Sequence, residues 1–192
     1  MNISTTNSGL TLTYDYAGIN SFLAQMKPKN YAIGRNPLKL VVTDVDGTLT
    51  NGQVIYDRNG NRSRSFSVID GYGFEMLKRN GFDVLMISGE NDYCIEKRAE
   101  KVNSDCALGV KDKREYVDKW YPQYKEIYVL GDDVNDLDLI DSERVVLAAT
   151  PKGSVIERLE KDFIHVLGSK GGEGAFREFA EMILLSNRIE PY

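Results

Sequence analysis

Apolar and polar positions along the chain fall into short runs with two different periods. Leu38–Thr43 is an apolar run rich in β-branched residues, the pattern of a strand buried on both faces. Phe82–Ile87, Asp105–Leu108, Glu126–Leu130, Arg144–Ala148 and Phe163–Val166 predict further strands. Segments of helical character separate them. One carries Phe74, Met76 and Leu77 and stops at Asn80-Gly81. A polar helix runs to about Val102, another from Lys113 to about Trp120, and a last one from Ala175 to Leu185 after Gly171-Gly172-Glu173-Gly174. Strands alternating with helices predict an α/β fold: a Rossmann-like, mainly parallel sheet with helices on both faces.

Two segments stand outside this alternation. Gly52–Val68 reads as a protruding β-hairpin turning at Asn59-Gly60, the signal of a type I′ turn. A two-stranded hairpin is marginal by itself, so one projecting from a domain invites pairing with copies of itself. Residues 1–37 are polar at first, with Tyr14, Tyr16 and Tyr31 among modest apolar positions. Ala17–Met26 reads as a short helix ended by Lys27-Pro28-Lys29. The expected organisation is an N-terminal extension over 1–37, read as a tail rather than a packing arm, and one catalytic domain over 38–192.

Composition narrows the function classes. With 192 residues, 42% hydrophobic and 28% charged, the chain reads as one soluble globular domain. A net charge of -5 without a long basic run argues against a nucleic-acid partner. No apolar run approaches the ~20 residues that span a bilayer, and no signal peptide is recognisable, so a cytoplasmic protein without a membrane partner is expected. Cys94 and Cys106 have no metal-like spacing and read as reduced thiols. The lone His165 lies in a strand-like run and reads as structural, which leaves no histidine-based triad.

Chemistry gathers at the strand ends, where open α/β sheets bind ligands. The first strand stops in Asp44-Val45-Asp46-Gly47-Thr48, two carboxylates one residue apart followed by a glycine that permits a sharp turn. Such acids repel unless a cation or proton lies between them. Asp44 is the candidate nucleophile, forming an aspartyl-phosphate. Asp46 suits an acid that protonates the leaving alcohol and then a base that takes a proton from water. Ser88 and the turn behind it offer donors to phosphoryl oxygens, and Lys113 a neutralising charge. Gly131-Asp132-Asp133-Val134-Asn135-Asp136 follows another strand. Mg²⁺ takes one or two carboxylates plus phosphate and water, so Asp44, Asp132 and the Asp46 backbone carbonyl form the expected metal site.

In order, these four strand ends resemble the four motifs of the haloacid dehalogenase superfamily. Gly52–Val68, Asp70-Gly71-Tyr72-Gly73, Gly109–Lys113, Gly131–Asp136 and Gly171–Glu178 resemble its capless sugar-acid phosphatases. That group includes 3-deoxy-manno-octulosonate (KDO) 8-phosphate phosphatases, nonulosonate 9-phosphate phosphatases and the C-terminal domain of animal-type CMP-sialate synthetases. The resemblance covers roughly residues 38–186. It implies a Mg²⁺-dependent phosphatase of sugar-acid phosphates without a cap domain. It also implies a homotetramer built through the hairpin, with Gly171–Gly174 approaching a neighbour's site. Glu90, where KDO enzymes tend to carry Arg, together with Arg98, Lys101 and Glu173, resembles the 9-phosphatases. Asp70-Gly71-Tyr72-Gly73 points towards the KDO enzymes. The expected substrate-binding set is Glu90, Arg98, Lys101, Gly89 and Asp70, and the expected substrate a nonulosonate 9-phosphate, with KDO 8-phosphate as the alternative. A non-catalytic tetramerisation module is the rival, disfavoured by the retained Asp44, Asp46, Lys113 and Asp132.

Overall fold

The computed structural model describes residues 38–191 and the backbone of two N-terminal strands. Those strands, β1 (Asn2–Thr6) and β2 (Gly9–Thr13), pair antiparallel as a separate two-stranded sheet. The helix expected over Ala17–Met26 lies outside the described residues.

From Leu38 onward the chain alternates as its apolar pattern predicts. The strands are β3 (Lys39–Thr43), β6 (Asp83–Ile87), β7 (Asp105–Ala107), β8 (Glu126–Leu130), β9 (Val145–Thr150) and β10 (Ile164–Val166). Between and after them come α1 (Val68–Arg79), α2 (Tyr93–Val102), α3 (Lys113–Trp120), the short α4 (Leu137–Ile140) and α5 (Ala175–Ser186). The sheet order is β10-β9-β8-β3-β6-β7, with every pairing parallel. The chain leaves β3 towards β6 and β7, then returns to the other side of β3 with β8. The crevice beyond the β3 and β8 ends is therefore the switch point, where this architecture leaves room for a ligand.

β3 is central and buries both faces. Val41 contributes to the core under α1, α2 and α5, while Leu40 and Val42 face the core under α3 and α4. All three are fully buried, each contributing ~1.5–3 kcal/mol of transfer free energy. In α5 the buried positions Phe176, Phe179, Ala180, Ile183 and Leu184 form one apolar stripe. Its Phe176 stacks on Phe74 of α1, ring centroids 4.1 Å apart.

The hairpin differs from expectation in two ways. Its paired strands are only β4 (Ile55–Tyr56) and β5 (Arg62–Ser63). The turn is not type I′, which needs positive φ at both central residues, because Asn59 is not among the positive-φ residues. Instead Asp57 organises a three-residue loop: its N–H donates to Asn61 O (3.0 Å), and its Oδ1 accepts from the Asn59 and Asn61 N–H groups. The following helix also starts earlier than the position of Phe74 indicates. Ser67 caps it by accepting the Asp70 N–H, so Asp70–Gly73 lies within its first turns. No helix among the described residues is long and apolar enough to cross a membrane.

Candidate active site

The chain past β3 winds into a tight turn over Asp44–Thr50. The Thr48, Leu49 and Thr50 N–H groups all donate to Val45 O, and Thr50 Oγ1 accepts from the Gly47 and Gly52 N–H groups. Gly47 has φ +91, and a Cβ there would stand 2.1 Å from Asp132 Oδ2, so only glycine lets the turn lie against that carboxylate. Asp132 enters from β8 and accepts from Thr48 Oγ1 at 3.3 Å. Asp136 closes the β8 loop, its Oδ2 accepting from the Asp132 N–H (3.0 Å) and the Asp133 N–H (3.3 Å).

Carboxylate oxygens of Asp44, Asp132 and Asp136 lie within 4.8 Å of one another. Lys113, the first residue of α3, is buried beside them, and its Nζ donates to Asp44 Oδ1 and to Asp136 Oδ1. Burial, then the Asp136 charge, pushes the Asp44 carboxyl well above the usual carboxylate range, with Lys113 opposing. Burial, then the charges of Asp136 and Asp133, pushes Asp132 up to about 6. Burial pulls the Lys113 ammonium down, but Asp44 and Asp136 more than reverse this, and it stands above its ordinary value. Three acids against one ammonium leave an excess of negative charge in a poorly solvated place. Hard oxygen donors so arranged fit a divalent cation of the Mg²⁺ kind.

The second aspartate of the turn faces elsewhere. Arg64, just past β5, holds the Asp46 carboxylate with two contacts, Nε to Oδ1 (2.6 Å) and Nη2 to Oδ2 (3.2 Å). The third nitrogen of Arg64 donates to Asp92, the N-cap of α2. Arg62 pairs with Glu90 (2.8 Å) and Asp92 (3.1 Å) and donates to Asn91 O. Two arginines of the arm thus tie it to the turn after β6.

Asp44, Lys113 and Asp132 therefore converge as the sequence predicts. Ser88 is buried at the β6 end, where its Oγ accepts the Glu90 N–H, so it is that backbone donor, and not the Ser88 hydroxyl proton, that is used within the turn. The acidic cluster includes Asp136 and not the Asp46 carboxylate. Of the expected substrate-binding residues, Gly89 is exposed beside Ser88, and Glu90 is held by Arg62. Arg98 is half-buried, donates to Ser67 O (2.6 Å) and lies over the Phe66 ring. Lys101 is exposed near the end of α2. Asp70 is buried, with Oδ1 accepting the Arg177 N–H at the start of α5, the geometry of a helix cap. The Gly171-Gly172 turn packs on this chain's own Asp44–Asn51 turn, where the Gly172 N–H donates to Thr48 O. A Cβ on Gly171 would meet Gly47 O at 1.9 Å.

Sequence reasoning missed Asp136, Arg64 and Asp92. Asp136 was visible as the last acid of the Gly131–Asp136 run. Arg62 and Arg64 alternate with Ser63 and Ser65, which puts both arginines on one side of an extended strand.

No family model matches the chain. The 3-deoxy-D-manno-octulosonate 8-phosphate phosphatase of Haemophilus influenzae is 34% identical over 158 residues, 77% of this chain and 83% of the relative. The chain belongs to that family. It is a phosphatase of the haloacid dehalogenase superfamily, in the capless sugar-phosphatase subfamily. The crystal structure of the Moraxella catarrhalis 3-deoxy-D-manno-octulosonate 8-phosphate phosphatase, in complex with magnesium, phosphate and KDO, matches with TM-score 0.70 and 28% identity. That match covers 78% of this chain and 87% of the other. An N-acylneuraminate cytidylyltransferase of Oncorhynchus mykiss is 28% identical over 77% of this chain but only 35% of its own length. In this family member the hairpin arm and the loop into α1 are all that lie between the Asp44–Thr50 turn and α1, too little for a closed cap.

Proposed function

We propose that this protein hydrolyses KDO 8-phosphate with Mg²⁺, through an aspartyl-phosphate on Asp44. The observation that carries the chemistry is the meeting of Asp44, Asp132 and Asp136 around Lys113 at the switch point. The sugar rests on the relatives, two of which are phosphatases of KDO 8-phosphate by name. The nonulosonate 9-phosphate expected from Glu90, Arg98 and Lys101 has weaker support. Glu90 is engaged by Arg62 and Arg98 by the Ser67 carbonyl within the chain.

Asp132 and Asp136, with Asp44, would hold the cation, which when bound neutralises charge on the phosphoryl oxygens. An Asp44 carboxylate oxygen attacks phosphorus as the bond to the sugar oxygen breaks. Lys113 orients Asp44 and offsets the charge around it. Asp46 delivers a proton to the departing alkoxide, then takes one from the water that releases phosphate. Ser88, one residue past β6, would offer its hydroxyl to a phosphoryl oxygen. In assembly, we favour a homotetramer through the arm: Ile55 and Tyr56 of β4, and Val68 and Ile69 at the start of α1, are all 60% exposed or more, apolar side chains that a neighbouring copy would cover.

Phosphate release from KDO 8-phosphate, N-acetylneuraminate 9-phosphate and plain hexose 6-phosphates, with Mg²⁺ or EDTA, tests this reading. Highest kcat/KM on KDO 8-phosphate with Mg²⁺ is expected. A higher value on the 9-phosphate overturns the substrate, and undiminished turnover in EDTA overturns the metal role.

A further inference from the structure

The structure holds an arginine that the chemistry above does not use. Arg64 sits in an arm whose neighbouring residues Ser63 and Ser65 are exposed, yet its own side chain has no exposed surface. All its nitrogens point inward, two to the oxygens of Asp46 and one to Asp92. Among the described residues no other donor holds the Asp46 carboxylate, which still keeps a quarter of its side-chain surface open. Asp92 is fixed in turn, its Oδ1 accepting the Cys94 N–H as the cap of α2. A rigid helix end, a buried guanidinium and a partly open carboxylate thus form one chain of contacts.

We propose that Arg64 is a positioning residue, which aims the Asp46 carboxyl group at the leaving oxygen from the hairpin arm. A planar fork gripping both oxygens fixes the plane of a carboxylate, which a single-point ammonium does not. Turnover is sensitive to such placement because proton delivery requires hydrogen-bond reach to one particular oxygen. The role is distinct from holding substrate: Arg64 touches Asp46, Asp92 and, at 4.0 Å, Cys94 Sγ, and leaves the open side of Asp46 free. In the step concerned, the Asp44–phosphorus bond forms, the bond from phosphorus to the alcohol oxygen breaks, and the Asp46 proton passes to that oxygen. This inference rests on the phosphatase reading with Asp46 as acid.

The test uses the dependence on leaving group. A sugar alkoxide needs a proton as it departs, whereas p-nitrophenolate does not. Rapid-quench measurement of the first turnover, following alcohol release from KDO 8-phosphate and from p-nitrophenyl phosphate, isolates the step. Asp46→Asn is expected to slow the sugar phosphate by roughly 10²–10⁴-fold and the aryl ester far less. Arg64→Met should reproduce that selectivity in smaller measure, on the order of tenfold or more on the sugar phosphate, with KM little changed. Arg64→Lys should fall between Arg64→Met and wild type. Circular dichroism establishes that each variant folds, and if Arg64→Met does not, Arg64→Lys alone must show the selectivity. Equal slowing of both substrates by the Arg64 variants, or slowing of neither, overturns the positioning role while sparing Asp46. Equal slowing by Asp46→Asn overturns the acid assignment, and the inference with it.

Discussion

Gly47 and Asp132 lie so close that a methyl group on Gly47 would stand 2.1 Å from the Asp132 carboxylate. The Asp44–Thr50 turn and the β8 loop, 84 residues apart through Thr48 and Asp132, are thus packed into one site with no space between them. Positive φ at Gly47 makes the turn, and the missing side chain admits the acid.

Gly47→Ala is therefore expected to displace Asp132 rather than to unfold the sheet. Changes in the supporting groups of a metal site commonly cost ~10–100-fold in affinity or activity. Isothermal titration with Mg²⁺ should show weakening of that order, with the circular dichroism spectrum kept. Wild-type affinity in the variant would show that the turn has another way to accommodate the methyl group.

Lys113 is the only cation contacting the Asp44–Asp136 pair among the described residues. Lys113→Met leaves buried acids facing each other. Removing one partner of a buried ion pair costs ~3–5 kcal/mol. Urea unfolding in EDTA should show a loss of that order, and Mg²⁺ should restore more stability to the variant than to wild type. An equal metal increment in both proteins would mean that the ammonium and the cation do not compensate the same charge.

Asp132 stands at about 6 without metal. Its folded pKa lies above its unfolded one, so the folded state holds the proton more tightly in the window between roughly 4 and 6. The contribution of this group to stability is full below that window and lost as pH rises through about 6. Bound cation reverses the preference, since it needs the ionised acid. In EDTA the stability difference between pH 7.5 and pH 5 should thus favour pH 5 as far as this group decides it. The Mg²⁺-induced rise in Tm should be larger at pH 7.5. A rise equal at both values would place the cation away from Asp132.

How much of this was legible in the chain depended on what local pattern can carry. β3 and β8 showed themselves because central parallel strands read as unbroken apolar runs. Asp44, Lys113 and Asp132 showed themselves because strand ends mark the ligand crevice. The hairpin turn did not, since Asp57 captures the N–H groups of Asn59 and Asn61 and so overrides the Asn59-Gly60 preference. Asp70 is expected at the substrate because it stands in a motif; what the motif does not show is that its carboxylate accepts an N–H at the start of α5, a contact 107 residues away in sequence that no local pattern encodes. Arg64 was missed for the same reason: its partners Asp46 and Asp92 lie 18 and 28 residues off, and only the folded arm brings them together.

Asp136 offers the sharpest separation of roles. Its carboxylate accepts from Lys113 and from the Asp132 and Asp133 N–H groups, and it belongs to the acidic cluster. Asp136→Asn keeps an oxygen for the two backbone donors, so the β8 loop should persist. It removes the charge that, after burial, does most to raise Asp132. Two consequences oppose each other in a pH titration of Mg²⁺ binding. Maximal affinity should fall, because one anionic ligand is gone. The pH at which affinity reaches half its maximum should also fall, because Asp132 now ionises at lower pH. Weaker binding with an unmoved midpoint would show that Asp136 serves the cation without tuning Asp132. A lower midpoint with undiminished affinity would instead place Asp136 outside the ligand set, as an electrostatic neighbour of the two remaining acids.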